Sequence, residues 1–98
     1  MDIKIEGHRY SWILDSKADG ELEFVLDFQN GTVPDVGRNG LHNEDVLEAL
    51  IDRMNWLNKQ FPCRENSIVI TKLEEALLWL NKRTADRVKR GVEGKHVK

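Results

Sequence analysis

The sequence has little of what disulfide-rich, metal-binding and membrane-spanning proteins need. Only one of its 98 residues is a cysteine, which excludes a disulfide within the chain and a zinc site built from cysteines. The histidines, His8, His42 and His96, show no metal-ligand spacing. No apolar run reaches the roughly 18 residues that a transmembrane helix requires. We therefore expect no metal site, no cofactor and no membrane partner.

Signals for secretion and for common enzyme classes are also missing. The opening residues, MDIKIEGHRY, contain no apolar stretch between a basic end and a cleavage site. The chain has no nucleophile elbow, no P-loop and no glycine-rich dinucleotide fingerprint. We therefore predict a cytoplasmic protein that is not an enzyme. Its length predicts a single domain, 1–98.

What the chain does contain is charge, and this charge is unevenly distributed. Residues 82–98 carry seven cations and two acids, a sum of +5, whereas residues 1–81 carry eight cations and 15 acids, a sum of −7. A protein that binds duplex nucleic acid usually spreads positive charge over a whole face, so a local basic end suits a small anionic ligand better. The alternative is that cations favour a helix C-terminus because they meet the negative end of its dipole there.

The N-terminal part alternates apolar and polar residues as half-buried β-strands do. Strands are predicted at 8–14 and 21–28, with the turn-rich segment DSKADG between them as a hairpin loop. Ile3 and Ile5 either begin a further strand or extend the first one. Residues 29–43 contain two Asn-Gly pairs and are predicted to form a loop, with a short strand as an option at 32–36.

The second half has the period of two long helices. The first is predicted from an N-cap at Asn43 to about Gln60, and the second from about Arg64 to Lys89, ended by Gly91. Their connection is so short that they must form an antiparallel hairpin. The predicted fold class is therefore α+β, with a β-hairpin or small sheet and a loop in 1–40, a helical hairpin in 43–90 and a tail in 91–98.

Several large apolar residues lie outside the stripes that these helices would bury. On a helical wheel, with about 100° per residue, Trp56 lies about 180° from Leu47, and Leu78 and Trp79 flank the stripe of the second helix. A helical hairpin and a small sheet cannot easily cover them all. We therefore predict a homo-oligomer that packs through its helices. An exposed tryptophan is also a stacking surface for a base.

The basic end of the second helix is the candidate ligand site. Arg83 and Arg87 are four residues apart and lie on one face, where two guanidinium groups suit phosphates. A polar cluster at the hairpin turn contains Trp56 and Asn66. Asn66 precedes Arg83 by 17 residues, which is about 25 Å along a helix. If both ends serve one nucleotide-sized ligand, the site must be built between two chains.

These residues resemble a known family. The run FPCRENSIVITKLEEALLWLNKRTADRVKRGVEG, residues 61–94, is similar to the helical-hairpin domain of phage nucleotide sponges, the anti-Thoeris and related anti-CBASS proteins. FQNG at 28–31 and VGRNG at 36–40 resemble the anti-Thoeris branch, which adds a β-hairpin before the helices. The resemblance covers about residues 22–94.

The resemblance implies a protein that binds a cyclic nucleotide immune signal tightly, without cleaving it, in the cytoplasm of an infected bacterial host. The ligand would be the glycocyclic ADP-ribose of Thoeris, and some members also take CBASS cyclic oligonucleotides at separate sites of a hexamer. From the residues alone, a small nucleic-acid-binding protein and an oligomerisation module without a small ligand remain alternatives. Nucleic acid is disfavoured because the acidic body opposes long duplex contacts.

The resemblance also implies ligand residues, in pockets between chains of a dimer or hexamer. Phosphates would meet two arginines, a base would stack on an aromatic residue that is more often phenylalanine in the family, and an amide would bind a ribose or base edge. These residues are Arg83 and Arg87, Trp56, and Asn66, with Arg38 in the loop as a weaker candidate. Arg90 and Gly91 are the candidates for a second, cyclic-oligonucleotide site.

Overall fold

The computed structural model describes residues 2–91, which form two compact units, one ending at Leu41 and one beginning at His42. The elements are β1 (Ile3–Glu6), β2 (Arg9–Ser16), β3 (Gly20–Asp27), α1 (Val33–Val36), α2 (Asn43–Gln60) and α3 (Arg64–Arg90). The predicted α+β class, a small antiparallel sheet followed by a helical hairpin, is confirmed. The predicted tail beyond Gly91 lies outside the described residues.

The three strands form one antiparallel sheet in the order β1-β2-β3. In the central strand, Trp12 lies opposite Ile3 on one side and Phe24 on the other. Because directly opposed residues project to the same face, the register gathers the alternating apolar residues on a single face. These are Ile3, Ile5, Tyr10, Trp12, Leu14, Leu22, Phe24 and Leu26. Ile3 and Ile5, which the sequence left undecided, belong to a strand of their own.

The other face of the sheet carries charged side chains. Arg9 on β2 donates two hydrogen bonds to the carboxylate of Asp27 on β3, at 2.6 and 3.2 Å. This hydrogen bonding raises the pKa of Arg9 above its usual value, and the negative charge of Asp27 adds to the effect. Both side chains are about half exposed, so the pair fixes the register of the strands more than it stabilises them.

The segment after β3 folds back on the end of the sheet. The N–H of Gln29 donates to the carbonyl of Leu41 at 2.9 Å, and the N–H of Leu41 donates to Asp27 at 2.8 Å. Phe28 and Leu41 thereby form an isolated parallel bridge. The ring of Phe28 also meets Tyr10 edge-on, with 5.4 Å between the ring centroids. The loop from Gln29 to Gly40 is therefore closed at its base.

Two side-chain amides tie the interior of this loop together. Gln29 donates from Nε2 to the carbonyl of Gly37 at 2.8 Å, and its Oε1 accepts the N–H of Asn39 at 2.9 Å. Asn39 in turn accepts the N–H of Asn30 at 2.8 Å and donates to its carbonyl at 2.7 Å. These bonds replace the backbone pairing that a strand or helix would supply.

The short strand considered at 32–36 is wrong, because residues Val33–Val36 form one turn of helix, α1. Pro34 lies in the first turn, where its fixed φ suits a helix and its missing N–H is not needed. Thr32 precedes the turn, and its hydroxyl donates to Asp35 Oδ2 at 2.7 Å. The local signals of a helix start therefore outweigh the β propensity of the two valines.

The helical bounds agree closely with the prediction. α2 begins at Asn43, but its N-cap is His42 rather than the predicted Asn43. The N–H of His42 donates to Asp45 Oδ2 at 2.8 Å, so a carboxylate in the first turn of α2 holds the backbone of the N-cap residue. α3 ends at Arg90, and its cap Gly91 has a φ of 72° and a ψ of 24°, in the left-handed region that glycine tolerates.

The two helices pack through stripes of regularly spaced side chains. In α3 the buried and half-buried positions recur alternately every four and every three residues. They are Asn66, Ile70, Leu73, Leu77, Leu80, Thr84 and Arg87. Ile70 is 9% exposed and is the only buried hydrophobic residue among those described. Trp56, Phe61, Leu78 and Trp79 are exposed, and all but Phe61 lie outside the apolar stripes on the helical wheel.

None of the helices within residues 2–91 combines the length and the apolar character needed to cross a membrane.

Candidate functional site

The last turns of α3 carry a shallow groove of about 270 Å³, here called the basic groove. Its lining residues are Trp79, Lys82, Arg83, Asp86, Arg87 and Arg90. All six residues belong to α3. Trp79, Arg83, Asp86 and Arg90 share one face of this helix, because they fall within an arc of about 60° at the helical repeat. Four cations and one acid share the surface, which favours an anion.

The acid in the basic groove is already partnered. Lys82 Nζ lies 2.7 Å from Asp86 Oδ2, one turn along the helix, and both side chains are more than half exposed. Within residues 2–91, Arg83 and Arg90 form no ion pair. The positive charge of these two arginines is thus available to a ligand. Guanidinium groups are suited to phosphate because they present parallel N–H donors.

Arg83 and Arg87, which the sequence treated as a pair, differ in burial. Arg83 is exposed, whereas Arg87 is only 6% exposed and closes the inner stripe of α3. Arg87 also takes part in an interaction within the structure. A charged side chain is rarely this buried unless it is paired. Arg87 therefore belongs both to the inner stripe of α3 and to the lining of the basic groove, and it contributes to the fold as well as to the groove.

Asn66 lies at the opposite end of α3, in its first turn. Its backbone N–H donates to Cys63 Sγ at 3.4 Å, and its Nδ2 donates to the carbonyl of Phe61 at 3.3 Å. The second hydrogen bond orients the side-chain amide of Asn66 and leaves its Oδ1 to accept hydrogen bonds from other partners. Asn66 thus shapes the hairpin turn in addition to the ligand contact that the family resemblance implies.

Trp56 lies on the outer side of α2 and is 53% exposed. The guanidinium carbon of Arg53 lies 5.1 Å from its ring centroid, within the range of a cation–π contact. The exposed ring of Trp56 therefore lies beside a positive charge. Sequence reasoning did not single out Arg53, although its i,i+3 spacing from Trp56 places it on the same face.

Arg38 belongs to the loop of the first unit. Its Nε donates to the carbonyl of Gly40 at 2.6 Å, so the side chain folds back on its own loop. It also takes part in a further interaction. Gly91 closes α3 directly after Arg90, which itself lines the basic groove.

The structure brings some of the predicted residues together and separates others. Arg83, Arg87 and Arg90 share the basic groove, whereas Asn66 lies at the far end of the same uninterrupted helix. At about 1.5 Å per residue, Asn66 and Arg83 remain about 25 Å apart. One chain does not unite the predicted amide and the predicted arginines around one small ligand.

Trp79, Lys82 and Asp86 are members of the basic groove that sequence reasoning did not assign to the site. The signal was available, because Trp79 precedes Arg83 by four residues and Lys82 precedes Asp86 by four. On a helical wheel such an aromatic residue is interpreted first as a packing surface, and this obscured its place beside the arginines. Within residues 2–91, no cluster of three His, Cys, Asp or Glu side chains could hold a metal ion.

These features define a class of protein: a small antiparallel sheet followed by a helical hairpin whose second helix ends in a basic groove. Residues 23–85 match the family model described as the Acb2/Tad1 hairpin domain. The match covers more than half of the chain, and the chain belongs to this family.

A curated relative points the same way. The chain is 55% identical over 75 residues to a protein named "Thoeris anti-defense 1" from Bacillus phage SBSphiJ7. The aligned segment is 76% of this chain and 53% of the relative. The chain therefore spans about half the length of the curated relative that it matches.

Proposed function

We propose that this chain acts against bacterial defence by binding a cyclic nucleotide signal and withholding it from the host. The observation that carries the proposal is the basic groove, where Arg83 and Arg90 present positive charge that no carboxylate in residues 2–91 neutralises. Membership of the Acb2/Tad1 hairpin family and the name of the phage relative support it. The protein would act in the cytoplasm of the infected bacterium.

The proposed ligand is glycocyclic ADP-ribose. Its phosphates would pair with Arg83 and Arg87 through charge-assisted hydrogen bonds, and its adenine would stack on Trp56. Asn66 would bind a ribose or base edge. Because α3 separates these two groups by about 25 Å, each pocket would combine Arg83 and Arg87 of one chain with Trp56 and Asn66 of a second. Arg38 would add a contact from the loop.

A second site for a CBASS cyclic oligonucleotide would use Arg90 and Gly91, at the end of α3. Arg90 lines the basic groove, and the left-handed Gly91 exposes backbone next to it. In a dimer or hexamer, the ends of several α3 helices would together surround a larger cyclic ligand.

The proposed mechanism is sequestration and not catalysis. A protein that depletes a signal needs slow release, which a pocket closed between two chains provides. The groove supplies guanidinium donors, an ion pair and an indole ring, which bind and orient an anion. The ligand would therefore leave the protein chemically unchanged.

The test is capture followed by recovery. Purified protein is mixed with glycocyclic ADP-ribose, the filtrate is assayed for free ligand, and the retained fraction is heated and analysed by mass spectrometry. We expect depletion in proportion to protein and recovery of intact cyclic ligand. Recovery of linear ADP-ribose would show an enzyme, and an undepleted filtrate would show that this ligand is not bound.

A further inference from the structure

The side of α3 that faces away from its inner stripe carries a second shallow groove, of about 210 Å³. Its lining residues, here called the outer face, are Glu75, Leu78, Trp79 and Lys82. Leu78 and Trp79 are 68% and 70% exposed, so two large apolar side chains lie in water there. We propose that the outer face binds the outer face of a second copy of this chain, with the two α3 helices antiparallel and a two-fold axis between Leu78 and Trp79.

The residues of the outer face follow a symmetric order along α3. Glu75 precedes Leu78 by three residues and Lys82 follows Trp79 by three, so an acidic and a basic side chain flank the apolar pair at equal distances. At about 100° per residue, all four lie within an arc of about 100°. A two-fold contact brings the same patch together from both chains. Glu75 of each copy would therefore lie opposite Lys82 of the other, and the contact would contain two such ion pairs.

Other arrangements of the same two helices place like charges together. In a parallel pair in register, Glu75 would lie opposite Glu75 and Lys82 opposite Lys82. In an antiparallel pair whose axis is moved by one helical turn, the axis would pass through Glu75 or through Lys82, so two carboxylates or two ammonium groups would meet. Juxtaposed like charges disfavour an interface and thereby fix its register. The charges therefore favour the antiparallel arrangement centred between Leu78 and Trp79.

Both charged residues of the outer face can form these ion pairs. Glu75 is exposed and forms no ion pair within residues 2–91. Lys82 Nζ lies 2.7 Å from Asp86 Oδ2, and because an ammonium group carries three N–H donors, it can bind a second carboxylate as well. Covering Trp79 removes Lys82 from water, which costs free energy unless a counter-charge is present. A second copy supplies that counter-charge through Glu75, whereas an apolar partner would not.

The outer face is separate from the proposed ligand pocket. Asn66 belongs to the inner stripe, on the opposite side of α3, and Arg83 lies about 40° beyond Trp79, outside the outer face. The contact would bury Trp79 and Lys82, two members of the basic groove, and leave the Arg83 guanidinium accessible to a phosphate. It goes beyond the proposed function and does not depend on it, since it requires no ligand.

Cysteine cross-linking tests the contact at its centre. Beside the two-fold axis, Leu78 would pack against Leu78 of the second copy, with about 6 Å between their Cα atoms for helix axes about 9 Å apart, which a disulfide can bridge. In a C63S background, which removes the native thiol, we expect oxidised L78C to form a disulfide-linked dimer. V88C is the matched control, because Val88 is also exposed but its two copies would lie about 28 Å apart along the helices.

Charge reversal tests the register at the same contact. When added to L78C and C63S, E75K and K82E should each slow cross-linking about tenfold, because the two-fold axis repeats each repulsion. The combined E75K/K82E variant should cross-link within about twofold of L78C alone, because reversing both charges restores both ion pairs. Loss of the ion pair with Asp86 cannot explain such a recovery, since the combined variant loses it too.

Three results would contradict the proposal. Wild type that stays a single chain per particle in light scattering, or L78C that cross-links no faster than V88C, would overturn the contact itself. Cross-linking of the combined variant that is as slow as that of either single variant would show that the outer faces do not meet in this register. Capture of glycocyclic ADP-ribose by L78C that does not cross-link would overturn the contact and leave the proposed function standing.

Discussion

At the scale of single residues, the two arginines of the predicted phosphate site have different surroundings. Arg83 projects from α3 into water, whereas Arg87 is buried at the end of the inner stripe. Helical spacing predicted that they share a face, and both do line the basic groove. It could not predict burial, because a wheel drawn for one helix does not show what covers it. The alternating spacing of four and three residues from Asn66 to Arg87 places Arg87 on the inner stripe, but it does not show how completely that stripe is covered at its end.

This difference separates binding from stability in mutants. We expect R83A to lose most binding of glycocyclic ADP-ribose while the free energy of unfolding changes by less than about 0.5 kcal/mol, as for other exposed sites. R87A should lose binding and also about 1–3 kcal/mol of stability, because it removes a buried, partnered charge. Calorimetry and urea unfolding, followed by circular dichroism, measure the two effects.

The control for this comparison is R87K, which retains the charge but not the planar fork of donors. It should recover part of the stability that R87A loses and little of the affinity. Equal unfolding midpoints for R83A and R87A would contradict the structural role of Arg87.

At the scale of elements, long periodic segments were predictable and the loop was not. Each long helix shows its period over at least four turns, so α2 and α3 followed from apolar spacing, Pro62 and Gly91. The loop from Gln29 to Gly40 has no period. Its shape depends on which carbonyls the Gln29 and Asn39 amides reach, and composition does not encode that. The basic groove was partly predictable, because its arginines follow helical spacing.

One position in the loop, Gly40, has no room for a side chain. A Cβ at Gly40 would lie 2.5 Å from the carbonyl carbon of Phe28 and 2.6 Å from its oxygen, too close for any side chain. We expect G40A to open the base of the loop at a cost of about 1–3 kcal/mol, as overpacking does. Hydrogen exchange measures this, since the N–H groups of Gln29 and Leu41 close the loop and should exchange faster.

A substitution at Gly20, at the start of β3, provides the control. Gly20 has a φ of 74° and no atom within 4 Å of an added Cβ, so its demand is conformational and not steric. Asparagine adopts positive φ more readily than most residues, and G20N should leave the exchange of the Gln29 and Leu41 amides close to wild type. If these amides exchange no faster in G40A than in G20N, the close approach to Phe28 does not constrain the loop.

At the scale of the whole molecule, the described chain covers little of its apolar surface. Ile70 is its one buried hydrophobic residue, whereas Phe61, Leu78 and Trp79 are each at least two-thirds exposed. Surfaces of this kind are typical of chains that associate. The prediction of a homo-oligomer through the helices follows from the same residues, and it gains a functional reason from the 25 Å that separate Asn66 from Arg83, at about 1.5 Å per residue.

Complementation between two inactive variants tests whether the proposed pocket is shared. If each pocket takes Asn66 from one chain and Arg83 from the other, N66A and R83A should each fail to bind glycocyclic ADP-ribose. In a mixed two-fold dimer, one pocket would carry both substitutions and the other neither. Random assortment at equal amounts makes about half of the dimers mixed, so about a quarter of the wild-type binding capacity should return.

The two variants must be mixed under denaturing conditions and refolded together, so that chains exchange, and capacity is measured by calorimetry. N66A and R83A refolded separately and then combined at once supply the baseline. The expected recovery requires a pocket between chains. If one chain supplied both Asn66 and Arg83 to a pocket, every pocket would carry one of the two substitutions, whichever chain it was paired with. Capacity that stays at the baseline, in samples shown by native mass spectrometry to contain mixed dimers, would place Asn66 and Arg83 in separate sites.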